Sequence, residues 1–157
     1  MTEAPIRITL RQQKDFRFEV DFEGTEIEPL FTDEPPPLGG GTGPNPARLL
    51  GAAVANCLAA SLLFALRKFG NEPAQTQATC TLAPERNTQG RWRIPRMAVD
   101  IQLGAAWDHL KHAERALAQF EDFCIVTQSV RGGIDVQVRV VDSTGAAWKE
   151  SGARAHA

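Results

Sequence analysis

Residues 46–69 read PARLLGAAVANCLAASLLFALRKF, and the organisation of the chain follows from them. Asn45 suits an N-cap, Pro46 the first helical position and Gly70 a stop, so the spacing predicts a helix from about Pro46 to Phe69. Between Leu49 and Leu66 the polar members are Asn56 and Ser61, with Arg48 before the run and Arg67-Lys68 after it. At a rise of 1.5 Å per residue that stretch covers about 27 Å, close to the hydrocarbon thickness of a bilayer. It is rich in Gly and Ala, however, which contribute little transfer free energy. The expectation is a helix buried on nearly every side, with no membrane partner. In a chain of 157 residues such burial requires a sheet wrapped around the helix or a second subunit.

The composition narrows the remaining classes. Lys and Arg number 17 against 19 Asp and Glu, a net charge of −2, which offers no basic surplus for nucleic acid. With 43% hydrophobic and 23% charged residues the chain has a globular balance rather than a disordered one. Three cysteines are too few for a disulfide-stapled secreted scaffold, and their odd number leaves one thiol over. Met1 to Arg7 carry an early acid and no apolar run of signal-peptide length, so a cytoplasmic location is expected by default.

Upstream of the helix, Ile6, Ile8 and Leu10, then Phe16, Phe18, Val20 and Phe22, alternate with polar neighbours and predict two strands, with a third at residues 27–31. Asp33 to Pro46 holds five of the ten prolines and four of the 13 glycines, which makes it a long shaped loop. Downstream, residues 74–84 and 92–103 predict a hairpin turning near Asn87 to Gly90. Ala106 to Phe120 carries apolar residues at helical spacing, Cys124 to Val130 suits a short helix, and Ile134 to Val141 a final strand. The order βββ-α-ββ-α-β indicates a single α+β domain over residues 1–143, followed by a frayed tail at 144–157.

Two segments carry a resemblance. Asp33-Glu34-Pro35, then Leu38-Gly39-Gly40-Gly41-Thr42-Gly43-Pro44-Asn45-Pro46, Leu49-Leu50-Gly51-Ala52-Ala53 and Asn56-Cys57, resemble the loop and first-cysteine helix of the OsmC/Ohr family of osmotically inducible and organic hydroperoxide resistance proteins. Phe123-Cys124-Ile125-Val126-Thr127-Gln128-Ser129-Val130 resembles that family's second-cysteine segment. The resemblance implies an OsmC-like fold and an intertwined homodimer, its long helices packed centrally and sheets wrapped around them. It also implies thiol-based reduction of organic hydroperoxides, with Cys57 peroxidatic and Cys124 resolving. The oxidised pair is returned by a dithiol reductant, lipoyl-linked in some members of the family, and no metal or organic cofactor is implied.

The chemistry needs a thiolate at Cys57. If the helix begins near Pro46, Cys57 lies about 16 Å along its axis, beyond the reach of the N-terminal partial charge. Apolar burial opposes ionisation further. The resemblance implies an arginine from the N-terminal strands, with Arg17 the first candidate and Arg11 the second, oriented by a glutamate just after the Asn-Pro pair. This chain has Ala47 and then Arg48 there. At 100° per residue Arg48 falls on the opposite face of the helix from Cys57. Glu34 is the substitute carboxylate to consider. Cys124 gains from a helix N-terminus and loses from Glu121 and Asp122 just upstream. Cys80 has no counterpart in the motifs and reads as packed and inert. His109 and His112, with Lys111 and Arg115 nearby, make a weak metal signal. The missing glutamate leaves an alternative open, a domain of this fold that binds a small apolar molecule or senses oxidants without fast turnover.

Overall fold

Asp33 organises the approach to the long helix. In the computed structural model, which describes residues 4–151, its buried carboxylate accepts hydrogen bonds from the Gly40 amide (3.0 Å), the Thr42 amide (3.1 Å) and the Thr42 hydroxyl (3.0 Å). These bonds fold the Gly-rich loop back on itself. Gly41 takes a left-handed φ of 66°, and a Cβ at Gly43 would strike the Phe31 carbonyl, so the loop needs glycine at both places. The helix α1, Pro46–Lys68, then starts as expected, with Asn45 Oδ1 accepting the Arg48 amide at 3.1 Å. It ends where Gly70, φ 75°, donates its amide to the Arg67 carbonyl at 2.8 Å.

The chain falls into two compact units, Met1–Leu50 and Gly51–Ala157. In the first, β1 (Ile8–Lys14), β2 (Arg17–Phe22) and β3 (Leu30–Thr32) form an antiparallel sheet in that order. The third strand lies slightly later than the expected 27–31. Ile8 faces Phe22 and Leu10 faces Val20 across the first ladder. Val20 is buried, whereas Ile8 and Leu10 are each about half exposed, leaving an apolar strip open.

The second unit contains β4 (Gln77–Leu82), the short pair β5 (Glu85–Arg86) and β6 (Trp92–Arg93), β7 (Arg96–Gln102), α2 (Ala113–Gln119), α3 (Ile125–Val130), β8 (Asp135–Val141) and β9 (Ala147–Ser151). The main sheet has the order β4-β7-β8-β9, with β7 and β8 parallel and the other pairs antiparallel. The alternation read from the sequence sets its register. Met97, Val99 and Ile101 of β7 lie beside Val136, Val138 and Val140 of β8, and all six are buried. α1 buries Gly51, Val54, Ala55, Leu58, Leu62 and Leu66. Each fully buried Val or Leu contributes about 1.5–3 kcal/mol. Gly51 makes the approach possible, because a Cβ on it would sit 2.8 Å from Leu82 Cδ2 and 3.4 Å from Cys80 Sγ.

The mixed α+β class is as expected, and three details differ. Burial of α1 within the chain is one-sided, and Ala52, Ala53, Asn56, Ala60 and Phe64 remain exposed. By length and composition this helix could cross a membrane. The continuous helix expected over 106–120 is broken into a 3₁₀ turn at Trp107–His109 and α2 at Ala113–Gln119. The cause is non-local. The buried Asn71 side chain accepts the Lys111 amide (2.7 Å) and donates to the Lys111 carbonyl (2.8 Å) and the Leu66 carbonyl (3.0 Å). Those groups are thereby withdrawn from a helical ladder, and His112 takes a left-handed φ of 51°. Finally, the frayed tail expected from Thr144 contains β9, paired to β8; residues 152–157 lie outside the described residues.

The network around Asp33 holds its carboxyl below the usual value, led by the Thr42 amide and opposed by burial. A depressed folded-state pKa gives stability that is present above the unfolded value near 3.8 and lost as pH falls through the folded one. Asp33→Asn is therefore expected to be less stable than wild type at neutral pH, with the gap closing below about pH 4. Urea unfolding across pH measures this, and a pH-independent gap would contradict it.

Candidate active site

Cys57 sits in the middle of α1, half-buried, and Cys124 is fully buried at the N-cap of α3. The structure places these two thiols close enough for Cys124 to act on the ionisation of Cys57. The contact arises because the segment from Gln119 to Val130 turns twice. A 3₁₀ turn spans Phe120–Phe123, the Cys124 amide donates to the Glu121 carbonyl at 3.2 Å, and α3 then starts with Gln128 donating to the Cys124 carbonyl at 3.0 Å. Thr127, also fully buried, closes the turn by donating its hydroxyl to the same carbonyl at 3.1 Å.

Four influences act on the Cys57 sulfur. Burial is the largest and pushes the thiol up, and the Cys124 thiol adds to it through its hydrogen bond and its charge. The Val126 amide and the Ser61 hydroxyl, one turn along α1, favour the thiolate. The net displacement is upward from the ordinary cysteine value. Val126 was not evident as a contributor from the sequence. The helix N-terminus expected to serve Cys124 instead directs an amide at Cys57, through the residue two beyond Cys124.

The remaining candidates occupy separate places. Arg11 is engaged by Asp21 (3.2 Å) and Glu19 (3.7 Å), so its charge is already neutralised. Arg17 has no carboxylate partner among the described residues, and its guanidinium lies 4.7 Å over the Phe31 ring. Glu34 sits 3.5 Å from the Asn45 side-chain amide, next to the start of α1. Glu121 does not act on Cys124 as a bare charge, because it pairs with Arg131 at 2.6 Å. Cys80 faces the core side of β4, opposite Val99, and burial pushes its thiol up as well. His109 lies 3.8 Å from Asp108 while His112 tilts against Phe69, so the two imidazoles have different neighbours.

The sequence profile of the OsmC-like protein family matches residues 39–139, a span that includes both cysteines of the contact. The chain belongs to the OsmC-like protein family. A comparison with curated proteins gives no match. Among solved structures, this OsmC-like protein is similar to a protein of Psychrobacter arcticus 273-4 (TM-score 0.74, 18% identity, 89% of this chain and 98% of that one). It also resembles the organic hydroperoxide resistance protein OhrB of Bacillus subtilis (0.65, 16%, 88% and 98%). A third similar structure is an OsmC-like protein of unknown function from Vibrio cholerae (0.73, 13%, 88% and 100%). At these identities the likeness establishes the fold.

The forces on Cys57 can be separated by titration. In a Cys80→Ala background, Cys124→Ala is expected to lower the Cys57 pKa by removing a neighbour that opposes the thiolate, and Ser61→Ala to raise it by removing a donor. Ultraviolet absorbance of the thiolate across pH reads both, and shifts in the opposite directions would contradict the assigned causes.

Proposed function

We propose that this protein is a thiol-dependent peroxidase that reduces organic hydroperoxides, with Cys57 peroxidatic and Cys124 resolving. The supporting observation is the contact between the two thiols at the start of α3. In the first step the Cys57 thiolate attacks the terminal peroxide oxygen. The O–O bond breaks, the alkoxide takes a proton and leaves as the alcohol, and Cys57 becomes a sulfenic acid. The Cys124 thiolate then attacks the Cys57 sulfur, the hydroxyl leaves as water, and a disulfide joins the two. A dithiol reductant attacks that disulfide and in two exchanges restores both thiols, leaving itself oxidised. Arg17 is the cation proposed to favour the Cys57 thiolate. Its lack of a carboxylate partner among the described residues, against the double pairing of Arg11, supports that choice.

The active form in this reading is a homodimer. Phe64 of α1 is 69% exposed, and Phe123 and Ile125, flanking Cys124, are 70% and 75% exposed. Apolar side chains so open around a buried thiol suit a second copy, which would also cover the free side of α1.

One observation favours another reading. The upward displacement of the Cys57 thiol is the reverse of what a fast peroxidatic cysteine needs, and it fits a binder of small apolar molecules or a stoichiometric oxidant sensor. Turnover of tert-butyl hydroperoxide with a dithiol reductant separates them. The peroxidase reading expects multiple turnovers that Cys57→Ser abolishes, and Arg17→Gln to raise the Cys57 pKa by about 1–3 units and slow the first step at least about tenfold. Wild-type consumption no faster than Cys57→Ser sinks the enzyme. A sensor would still form the Cys57–Cys124 disulfide after one equivalent of peroxide, and a binder would not, as mass spectrometry distinguishes.

A further inference from the structure

Helix α3 has six residues, and an isolated helix that short does not hold its shape in water. Packing does little to fix it, because Thr127 is its one buried residue and Ile125 points outward. The Cys124 N-cap makes no side-chain capping bond. Yet the Val126 amide and the Cys124 thiol both meet Cys57 from this segment, so something outside the helix must set its position.

An ion pair meets that need. Glu121, three residues before Cys124, and Arg131, immediately after α3, join at 2.6 Å with side chains 6% and 22% exposed. Arg131 reaches on to the Val136 carbonyl of β8 at 3.4 Å, and Gln128 donates to the Glu121 carbonyl at 3.5 Å. The pair thus closes a bracket around the whole of α3 and ties it to the start of β8 at the buried Val136. A buried ion pair of this kind is poor evidence for net stability, since desolvation offsets much of the attraction. What the bidentate-capable guanidinium supplies is a defined geometry.

We propose that Glu121 and Arg131 are positioning residues, a clasp that holds the Cys124 thiol and the Val126 amide against Cys57 and so sets how readily the two cysteines join. The role rests on the same thiol pair as the peroxidase reading, although its test needs no peroxide. In a glutathione redox buffer the Cys57 thiolate attacks glutathione disulfide and releases one glutathione. The Cys124 thiolate then attacks the Cys57 sulfur and releases the second, so two thiols lose two electrons and one glutathione disulfide gains them. The midpoint of that equilibrium reports the effective concentration of Cys124 at Cys57.

With Cys80→Ala as background, Glu121→Gln is expected to weaken the Cys57–Cys124 disulfide about tenfold, a shift of about 30 mV for a two-electron couple. Arg131→Lys, which keeps the charge and loses the fork, should weaken it less, and the exchanged pair Glu121→Arg with Arg131→Glu should recover part of the loss. An unchanged or more stable disulfide in a folded Glu121→Gln chain overturns the clasp. If that variant does not fold, Arg131→Lys with an unaltered midpoint overturns it equally. Failure of peroxide turnover with the expected midpoint shifts would instead remove the peroxidase reading and leave the clasp standing.

Discussion

Helix α1 answers to two demands that conflict. Its apolar side chains must leave water, and in the peroxidase reading proposed above its centre must also keep Cys57 open enough to react. The chain meets the first demand on one side only, where Val54, Leu58, Leu62 and Leu66 are fully buried, and Gly51 lets the backbone close on β4. The thiol sits at the edge of that buried face, half in and half out. Everything else in the second unit is arranged around this placement. The parallel β7–β8 ladder forms the middle of the main sheet, and the segment joining those strands delivers the second thiol.

Such a placement makes ionisation difficult, and the reason is visible in the length of the helix. Cys57 is too far along α1 for its own N-terminal amides to help, and burial opposes charge. The local remedy is small: one amide from a short helix and one hydroxyl a turn away. Neither is a full charge. Neither the amide nor the hydroxyl outweighs burial, and the Cys57 thiol stays displaced upward.

Much of this was legible in the sequence where the signal was local. Asn45, Pro46 and Gly70 fixed the ends of α1, alternation in β7 and β8 fixed their buried faces, and the two cysteine segments carried the family. The failures were non-local. Nothing in residues 106–120 themselves tells that Asn71 will take the polar groups of Lys111 and break the helix. Strand β9 lacked the apolar alternation of its neighbour because it lies at the sheet's edge, where one free side relaxes the pattern. Glu121 looked like a charge that would disfavour a thiolate, and its partner ten residues on reverses that reading. The Val126 amide had no signal at all, since any residue but proline offers one.

The parallel register of β7 and β8 also governs when the thiols can meet. Parallel neighbours cannot be joined by a tight turn, so the whole stretch from Leu103 to Ile134, with Cys124 inside it, is a crossover whose ends must be gathered before the ladder forms. Pairing across such a distance loses chain entropy before contacts repay it, which places it among the slow steps of folding. A nascent chain with α1 already formed therefore presents Cys57 without Cys124. Until β8 docks, that thiol is open to small disulfides such as glutathione disulfide, whose attack by the Cys57 thiolate releases one glutathione, and the mixed disulfide so formed is the misfolding hazard that this topology builds in.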